Sequence, residues 1–573
     1  MEPSTETTAA GAGRTWPRWL TVARWTAIGW VVVFWRLGYT GLLDPDEAHY
    51  AQLTREMMRA RSWFIPLLDG TPFIDKPVLF HWFQALSIAV VGESELAARL
   101  PSALAAVFLI AITWWVAAQL FDARVGELSA LMFVTLPATF ALASVGLFDM
   151  VFTAFLFGGV ACLLVSAVCR RERLQYFGYA LLTLAVMTKG PVALVLVVLL
   201  FVSAWCAGRH CRDVVRRLHW GSGLALVVLV SLPWFVWMSV RFGDRFVRDY
   251  VMAGNVWYFT SPQRFSTRTS DITFYLRTFV GAFFPWSVIV VGGALDALSA
   301  GRKSKTSSQA AVWLWLWLAL VAAFFTAARF KLDTYIFPAA PACAILAAVA
   351  WHRAAYDRSQ RWTRAAVVLV ASILIAGGAI SAVALFRIDL GLDSRAALLP
   401  AALALGGIGL LVQIRRHQWS VPASAMTPVF TLLAAYAVVV QLGFPLLESS
   451  RPTRPLGRWI ACHTAAGIAV GIYGLDNWRA SIRYYTDHPV TRLNSLEDVR
   501  AFLEQEPTAK VLMLRDDYRA MRQAGLEIRE VAARRAIVGN TGKYLRRQIW
   551  GRLVVVTRRD YADALARNQW DLQ

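Results

Sequence analysis

The stretch GLLDPDEAHYAQLTREMMRARSW, Gly41 to Trp63, follows directly on an apolar run that ends near Leu37. It places Asp44, Asp46 and Glu47 within four residues at the mouth of a membrane span. Charged carboxylates beside lipid are costly, so their presence there asks for a function. The surrounding chain makes the membrane setting firm. Its 573 residues are 57% hydrophobic with 25 tryptophans, and the mean hydropathy is +0.48, more apolar surface than one soluble core hides.

The balance of 58 Lys and Arg against 37 Asp and Glu gives +21. These basic residues sit in short clusters between apolar runs, the positive-inside pattern aided by anionic head groups. No basic helix or aromatic-basic platform interrupts the spans, which excludes nucleic acid as a partner and leaves membrane lipids. Cys162, Cys169, Cys206, Cys211, Cys343 and Cys462 show no metal-ligand spacing, and packing accounts for them. The polar, then basic N-terminus precedes an apolar run too long for a secretory signal, so the first helix reads as retained.

Apolar segments of spanning length occur at about 19–37, 99–120, 127–146, 149–169, 175–189, 190–208, 221–241, 273–297, 311–328, 334–351, 364–386, 396–414 and 427–446. That predicts a mostly α polytopic protein of about 13 transmembrane helices. The shorter run Pro77–Gly92 carries His81 and Gln84. If it does not cross, the basic linkers 169–173, 209–217, 301–305, 352–364 and 414–417 all fall on the cytoplasmic side with the N-terminus. The run is therefore read as a surface or re-entrant helix. The same parity puts the DPDE loop, Asp149, Lys189, the 242–272 loop, Lys331 and everything after Leu446 on the outer face. From about Glu448 the pattern changes to short alternations such as GIAVGIYGL, KVLMLRDD and RLVVVTRR around a helix-like LEDVRAFLEQ, which predicts a small α/β domain outside. The long 242–272 loop, with NVWYF and PQRFSTR, has the length and composition of a lid.

Polar clusters thus converge on one face: Asp44, Asp46, Glu47 and His49; Asp75 and Lys76 with His81; Asp149; and Lys189 with Arg329, Lys331 and Tyr335. Carboxylates with cations at a lipid interface suit a reaction in which a base takes a proton while positive charge holds a departing phosphate. Each has a structural alternative. Asp46 or Glu47 serves equally as a helix cap, Asp149 caps as readily, Lys189 and Lys331 can snorkel, and lone histidines are commonly structural.

The chain resembles the bacterial polyprenyl-phosphate-dependent glycosyltransferases of the GT-C superfamily, in the branch of the protein O-mannosyltransferases and the aminoarabinose transferase that modifies lipid A. The resemblance rests on DPDEAHYAQLTREMM, FIDKPVLFHWFQALSIAVVGESELAARLPSAL, the Asp149 region, MTKGP, FYLRTFVGAFFPWS at 274–287 and RFKLDTYIFPAAP at 329–341. It implies a GT-C catalytic domain over 19–447 with outer loops at about 38–98 and 242–272, behind a cytoplasmic tail of residues 1–18, and an extracytoplasmic α/β domain at 448–573. It implies Asp46, with Glu47 beside it, as base and Asp149 as a supporting carboxylate. Lys76, Lys189, Arg329, Lys331 and Tyr335 would meet the donor phosphate, and His49, Tyr50, Asp75 and His81 would line the substrate site. The partners implied are a polyprenyl-phosphate sugar donor and a glycan, lipid or protein acceptor, at the outer face of a bacterial inner membrane. No cofactor or metal motif is present, and a divalent cation stays open. The chain departs from the pattern at Asp75, where Glu is expected, at His49, where Arg is expected, and at GNV 254–256, which lacks a Glu-His pair. A lipid-linked sugar flippase is the alternative, but its polar residues would sit near the midplane in repeated halves.

Overall fold

The computed structural model describes residues 29, 32–260, 271–299, 308–387, 392–416, 423–537 and 550–568. The tail 1–18, residues 19–28, 30 and 31 of the expected 19–37 span and residues 261–270 of the expected lid lie outside this set.

The acidic stretch opens α1 (Asp46–Arg59), whose N-cap is Pro45 with no side-chain capping bond. Proline suits a helix start because the first amides have no acceptor inside the helix, so its missing N–H forfeits no helical bond. The cap reading of Asp46 is therefore not realised. A small hairpin, β1 (Leu67–Leu68) against β2 (Thr71–Pro72), leads to α2 (Leu79–Val91). This is the Pro77–Gly92 run. With 13 residues it is about 20 Å long, against roughly 30 Å of hydrocarbon.

Eight helices among the described residues are long and apolar enough to cross a membrane, or ten segments if two bent pairs each count as one. They include α3 (Glu95–Leu120) and α4 (Phe148–Cys169). The expected 175–189 span is α5 (Arg173–Lys189), and the expected 190–208 span is the shorter Val192–Ala207 helix. Two expected spans are not single rods. Ala123–Val134 and Pro137–Ala143 meet at 63°, and Phe274–Ala282 and Trp286–Ser299 at 111°. Pro137 and Pro285 stand at those breaks, where proline lacks an amide donor and clashes with the preceding turn. Further on come α6 (Ser308–Ala327), a 3₁₀ turn Asp333–Ala339 running into helix Ala340–Tyr356, and the Arg361–Arg387, Leu398–Arg415 and Ala423–Val438 helices. The windows at Phe148–Cys169 and Asp333–Tyr356 are 89% buried, against 17–44% for the other six. These two are the centre of the bundle, and the rest turn apolar faces outward, as Val240 and Phe386 do.

The expected 242–272 loop is helical over Asp244–Thr260. A turn at Asp244–Phe246 continues into a π-helix Val247–Val256 and a turn Trp257–Thr260.

Beyond α7 (Phe444–Ser450) and α8 (Thr453–His463) lies a five-stranded mixed sheet of order β4-β3-β5-β7-β6, made of β3 (Val470–Tyr473), β4 (Val490–Leu493), β5 (Lys510–Leu514), β6 (Ile528–Ile537) and β7 (Trp550–Arg558). Strands β3, β4 and β5 run parallel, while β7 pairs antiparallel with β5 and β6. Alternation along β7 sends Leu553 and Val555 to one apolar layer and Val554 and Val556 to the other. The α9 helix (Arg479–Thr486) joins the first layer through Ile482 and faces α1.

Two features of this architecture set the position of the polar residues. Glu47 and Arg99 of α3 form an ion pair with side chains 0% and 2% exposed. Helices α4 and α5 form an antiparallel hairpin whose backbones meet at small residues. A Cβ on Gly159 would lie 2.7 Å from the Leu182 side chain and 3.0 Å from the Gly178 carbonyl oxygen. Small residues of this kind let membrane helices approach closely, and here the hairpin brings Asp149 at one end of α4 beside Lys189 at the far end of α5. Gly159→Val should therefore cost about 1–3 kcal/mol by overpacking. We expect a lowered thermal midpoint in detergent together with reduced activity; an unchanged midpoint would show that the contact does not hold the hairpin.

Candidate active site

The three neighbouring acids of the opening stretch have three different fates. Asp44 points to the C-terminal domain, where its Oδ1 accepts the Ser481 amide at 2.7 Å. Burial pushes its carboxyl up to about 6, against the opposing effects of Ser481 and Arg451. Glu47 turns into the protein. Its Oε1 accepts Arg99 Nε at 2.7 Å and the Gly146 amide at 2.8 Å, and its Oε2 accepts Arg99 Nη2 at 3.0 Å and the Leu43 amide at 2.7 Å. The expectation that Glu47 stands beside Asp46 in the site is thus corrected. One residue along a helix is a rotation of about 100°, enough to send the two side chains apart.

Asp46 is exposed and receives no capping bond. A carboxylate in the first turn of a helix is ordinarily stabilised by the helix dipole. Here desolvation within the surrounding walls, then the charges of Asp149 and Asp75, raise its pKa, while Lys76 and Lys189 pull the other way. The raising effects win. His49 and Tyr50 lie three and four residues on, over the same face of α1. Burial lowers the His49 pKa and keeps the ring neutral, with its edge against Phe73 at 4.8 Å. Burial followed by Asp46, Asp75, Asp149 and Tyr335 raises the Tyr50 pKa, and its ring meets Phe148 at 4.6 Å.

Two lysines flank this face, each already held by a carboxylate. Lys76 Nζ donates to Asp75 Oδ1 and Oδ2, both at 3.0 Å. Lys189 Nζ donates to Asp149 Oδ1 at 2.7 Å and lies over the Tyr335 ring, 4.6 Å from its centre. The structure therefore brings together Asp46, Tyr50, Asp75, Lys76, Asp149, Lys189 and Tyr335, with His49 at the edge.

Three expected residues stand elsewhere. Lys331 is buried and donates to the carbonyls of Thr326, at 2.8 Å, and Ala328, closing the C-terminal end of α6. Cations at that end of a helix answer its free carbonyls. Arg329 is exposed and makes no ion pair among the described residues. His81 is buried behind the site, its Nδ1 2.7 Å from Thr54 Oγ1 and its ring against Phe148.

Sequence reasoning missed two participants. Arg99 had a signal, an arginine inside an apolar run, where ionisable groups are rare and paired. Tyr250 had none, because it belongs to the π-helix. That helix packs over the site: a Cβ on Gly254 would lie 3.3 Å from Asp75 Oδ1, and one on Gly190 2.3 Å from the Tyr250 hydroxyl. The Tyr250 hydroxyl is buried without a hydrogen-bond partner among the described residues, and burial, then Asp75, raises its pKa. Also among the described residues, no group of three His, Cys, Asp or Glu could hold a metal ion.

The comparisons agree with this architecture. The family profile of the Dolichyl-phosphate-mannose-protein mannosyltransferases matches residues 75–237. The undecaprenyl phosphate-alpha-4-amino-4-deoxy-L-arabinose arabinosyl transferase of Serratia proteamaculans is 25% identical over 426 residues, 70% of this chain and 73% of that protein. A Pseudomonas fluorescens transferase of the same name is 28% identical over 335 residues, 56% of this chain and 57% of its own. The crystal structure of ArnT from Cupriavidus metallidurans bound to undecaprenyl phosphate superposes with a TM-score of 0.71 at 22% identity, covering 93% of this chain and 97% of that one. In fold this chain is similar to ArnT, and in sequence it is similar to membrane glycosyltransferases that bear that activity in their names.

Proposed function

We propose that the chain moves a sugar from a polyprenyl-phosphate carrier to an acceptor at the outer face of a bacterial inner membrane, with Asp46 as the base and inversion at the anomeric carbon. The observation that carries this reading is one carboxylate of raised pKa set between two Asp–Lys pairs. A raised pKa makes Asp46 a stronger proton acceptor than an ordinary aspartate. The names of the relatives, which specify an undecaprenyl-phosphate sugar, supply the donor class.

The acceptor group bound at Asp46 gives up its proton to the carboxylate as its oxygen bonds the anomeric carbon. The bond from that carbon to the phosphate oxygen breaks on the opposite side, and the electron pair leaves with the carrier phosphate. Lys76 and Lys189 neutralise that phosphate. Their carboxylate partners keep both ammonium groups aimed before the donor arrives, so little side-chain freedom is lost on binding. Tyr335, under Lys189, limits where that lysine can swing. Arg329 is exposed, and Lys331 spends its donors on the carbonyls of Thr326 and Ala328. Asp149 and Asp75 act on Asp46 through its pKa as well as through their lysines. His49 and Tyr50, both neutral, offer hydrogen bonds to sugar hydroxyls, and Glu47 and His81 hold the elements beneath.

The base assignment carries a pH signature. The ionised base is lost as pH falls through the raised Asp46 pKa, which sets the acid limb of kcat/KM. Asp149→Asn removes a like charge that raises this pKa, so the limb should move to lower pH; Lys76→Ala removes a cation that lowers it, so the limb should move to higher pH and donor KM should rise. Limbs that stay in place in both variants would contradict the assignment.

Sidedness has its own test. The sheet domain shares a face with the site, because Tyr485 donates to Glu95 at the start of α3 at 3.1 Å. Cys462 is exposed in that domain. A membrane-impermeant maleimide should label it in intact spheroplasts, with Cys462→Ser as control; labelling only after lysis would put the site on the cytoplasmic side.

A further inference from the structure

The polar site stands at one end of the α4–α5 hairpin, and the other end carries a different chemistry. Helix α4 has 22 residues, about 33 Å of helix, so its last turn lies a bilayer's width from Asp149. There the short helix Arg209–Arg216 joins the end of the Val192–Ala207 helix to the start of the Trp220–Phe242 helix. Its inner face buries Cys211, Val214 and Val215. Its outer face shows Arg209, Arg212 and Arg216 at steps of three and four residues, aligned along about 10 Å. Arg217 follows, and the turn after α4 adds Arg170, Arg171 and Arg173. Glu172 and Asp213 are the only acids in the stretches 169–173 and 209–217. Among the described residues, none of these guanidiniums forms an ion pair.

The positive-inside pattern alone asks only for charge in such a linker. The structure adds placement. Arg212 Nε donates to the Trp205 carbonyl at 2.7 Å, and the Arg212 and Arg216 guanidiniums lie over the Trp205 ring, 5.9 and 5.2 Å from its centre. Arg217 Nη1 donates to the Ala167 carbonyl in the last turn of α4 at 3.0 Å. Gln175, buried in the first turn of α5, accepts the His219 amide at 2.8 Å, and its Nε2 meets His219 Nδ1 at 3.1 Å. The basic turn is thus tied to α4, to α5 and to the span that follows it. The remaining guanidinium nitrogens of Arg212, Arg216 and Arg217 have no hydrogen-bond partner among the described residues. Trp205 also ends an apolar stripe. Val195, Val198, Val202 and Trp205 recur at steps of three and four and are all exposed, so they share one face of the Val192–Ala207 helix. An aliphatic stripe that runs to a tryptophan beneath two guanidiniums matches an acyl chain followed by an anionic head group.

We propose that the Arg209–Arg216 turn is a binding site for an anionic phospholipid, which sets its phosphate on Arg209, Arg212 and Arg216 and an acyl chain along Val195, Val198 and Val202. Planar guanidinium forks take phosphate oxygens two at a time, and Trp205 holds two of the forks in place before the lipid arrives. The bound head group draws together the ends of α4 and α5, and so stabilises the hairpin whose opposite end carries Asp149 and Lys189. The site is independent of the reaction assigned to Asp46.

The test places the full-length protein in phosphatidylcholine nanodiscs and raises the mole fraction of phosphatidylglycerol while the thermal midpoint is read. Wild type should show a saturable rise, and the double variant Arg212→Gln/Arg216→Gln should need at least about threefold more phosphatidylglycerol to reach half of it. Arg361→Gln, in another basic linker, should respond as wild type does. No rise in wild type, an unchanged response in the double variant, or an equal loss in Arg361→Gln overturns the site, the last because it would reduce the effect to bulk surface charge. The midpoint in phosphatidylcholine alone reports whether the double variant folds. If it does not, Arg209→Gln decides by the same criterion, since that side chain is exposed and makes no bond in the fold. Inorganic phosphate added to phosphatidylcholine nanodiscs should give no comparable rise; a rise of the same size would make this a free-anion site and overturn the lipid assignment. Asp46→Asn should keep the full lipid response, so failure of the reaction reading and failure of this site are read separately.

Discussion

The buried pair of Glu47 and Arg99 is the constraint on which the rest of the site depends. Taking two such charges out of water is affordable only when nearly every donor and acceptor is used. Here Arg99 also donates to Leu37, Thr40 and Gly41 carbonyls, while Glu47 also accepts from the Leu43 and Gly146 amides. The knot thereby joins the end of the first apolar run, the start of α1, the first turns of α3 and the turn before α4. Asp46 is the residue before Glu47, and Asp149 comes three residues after Gly146. The distance between Asp46 and Asp149 is thus fixed by a contact that neither of them makes. Gly146 is required there, since a Cβ would fall 2.6 Å from the Ala98 carbonyl oxygen. Removing one partner of such a pair costs about 3–5 kcal/mol, so loss of activity on mutating Glu47 would say nothing of a chemical role.

A second clamp comes from outside the bundle. Along α9 and its flanks, Ser481 holds Asp44, Arg483 pairs with Glu56 at 3.0 Å and Asp69 at 2.7 Å, Tyr485 accepts the Leu42 amide at 2.7 Å, and Asp487 takes Arg59 at 2.8 Å. The helix that carries Asp46 is therefore gripped from below by Arg99 and from above by the sheet domain. The C-terminal domain is more than an appendage in this arrangement. Rigidity of this kind suits a site whose chemistry depends on placing charge before the substrate arrives.

The sequence made the spans legible because apolar length and basic linkers answer directly to the bilayer. Charge parity also put Asp46, Asp75, Asp149 and Lys189 on one face, and the short alternations marked β3, β5 and β7. What the sequence did not reveal depended on partners far along the chain. Asp46 and Glu47 look alike locally, and Arg99, 52 residues from Glu47, decides between them. Lys189 ends a span and Lys331 follows one; the first finds Asp149 across a hairpin, whereas the second folds back on carbonyls at the end of the preceding helix. The bend at Pro285 and the π-helix around Tyr250 left a continuous rod and a loop as the natural expectations. Strand β6 was missed because IREVAARRAI mixes charges into both of its faces and lacks a clean alternation.

The central claim is that Asp46 is the proton acceptor and that its neighbours tune it. The most direct measurement is single-turnover transfer from a labelled polyprenyl-phosphate sugar by Asp46→Asn in detergent, with donor binding measured in parallel. Asn keeps the shape and the helix start while removing the base, so transfer should fall by roughly 10²-fold or more with donor affinity unchanged. Near-normal transfer by Asp46→Asn would contradict the account.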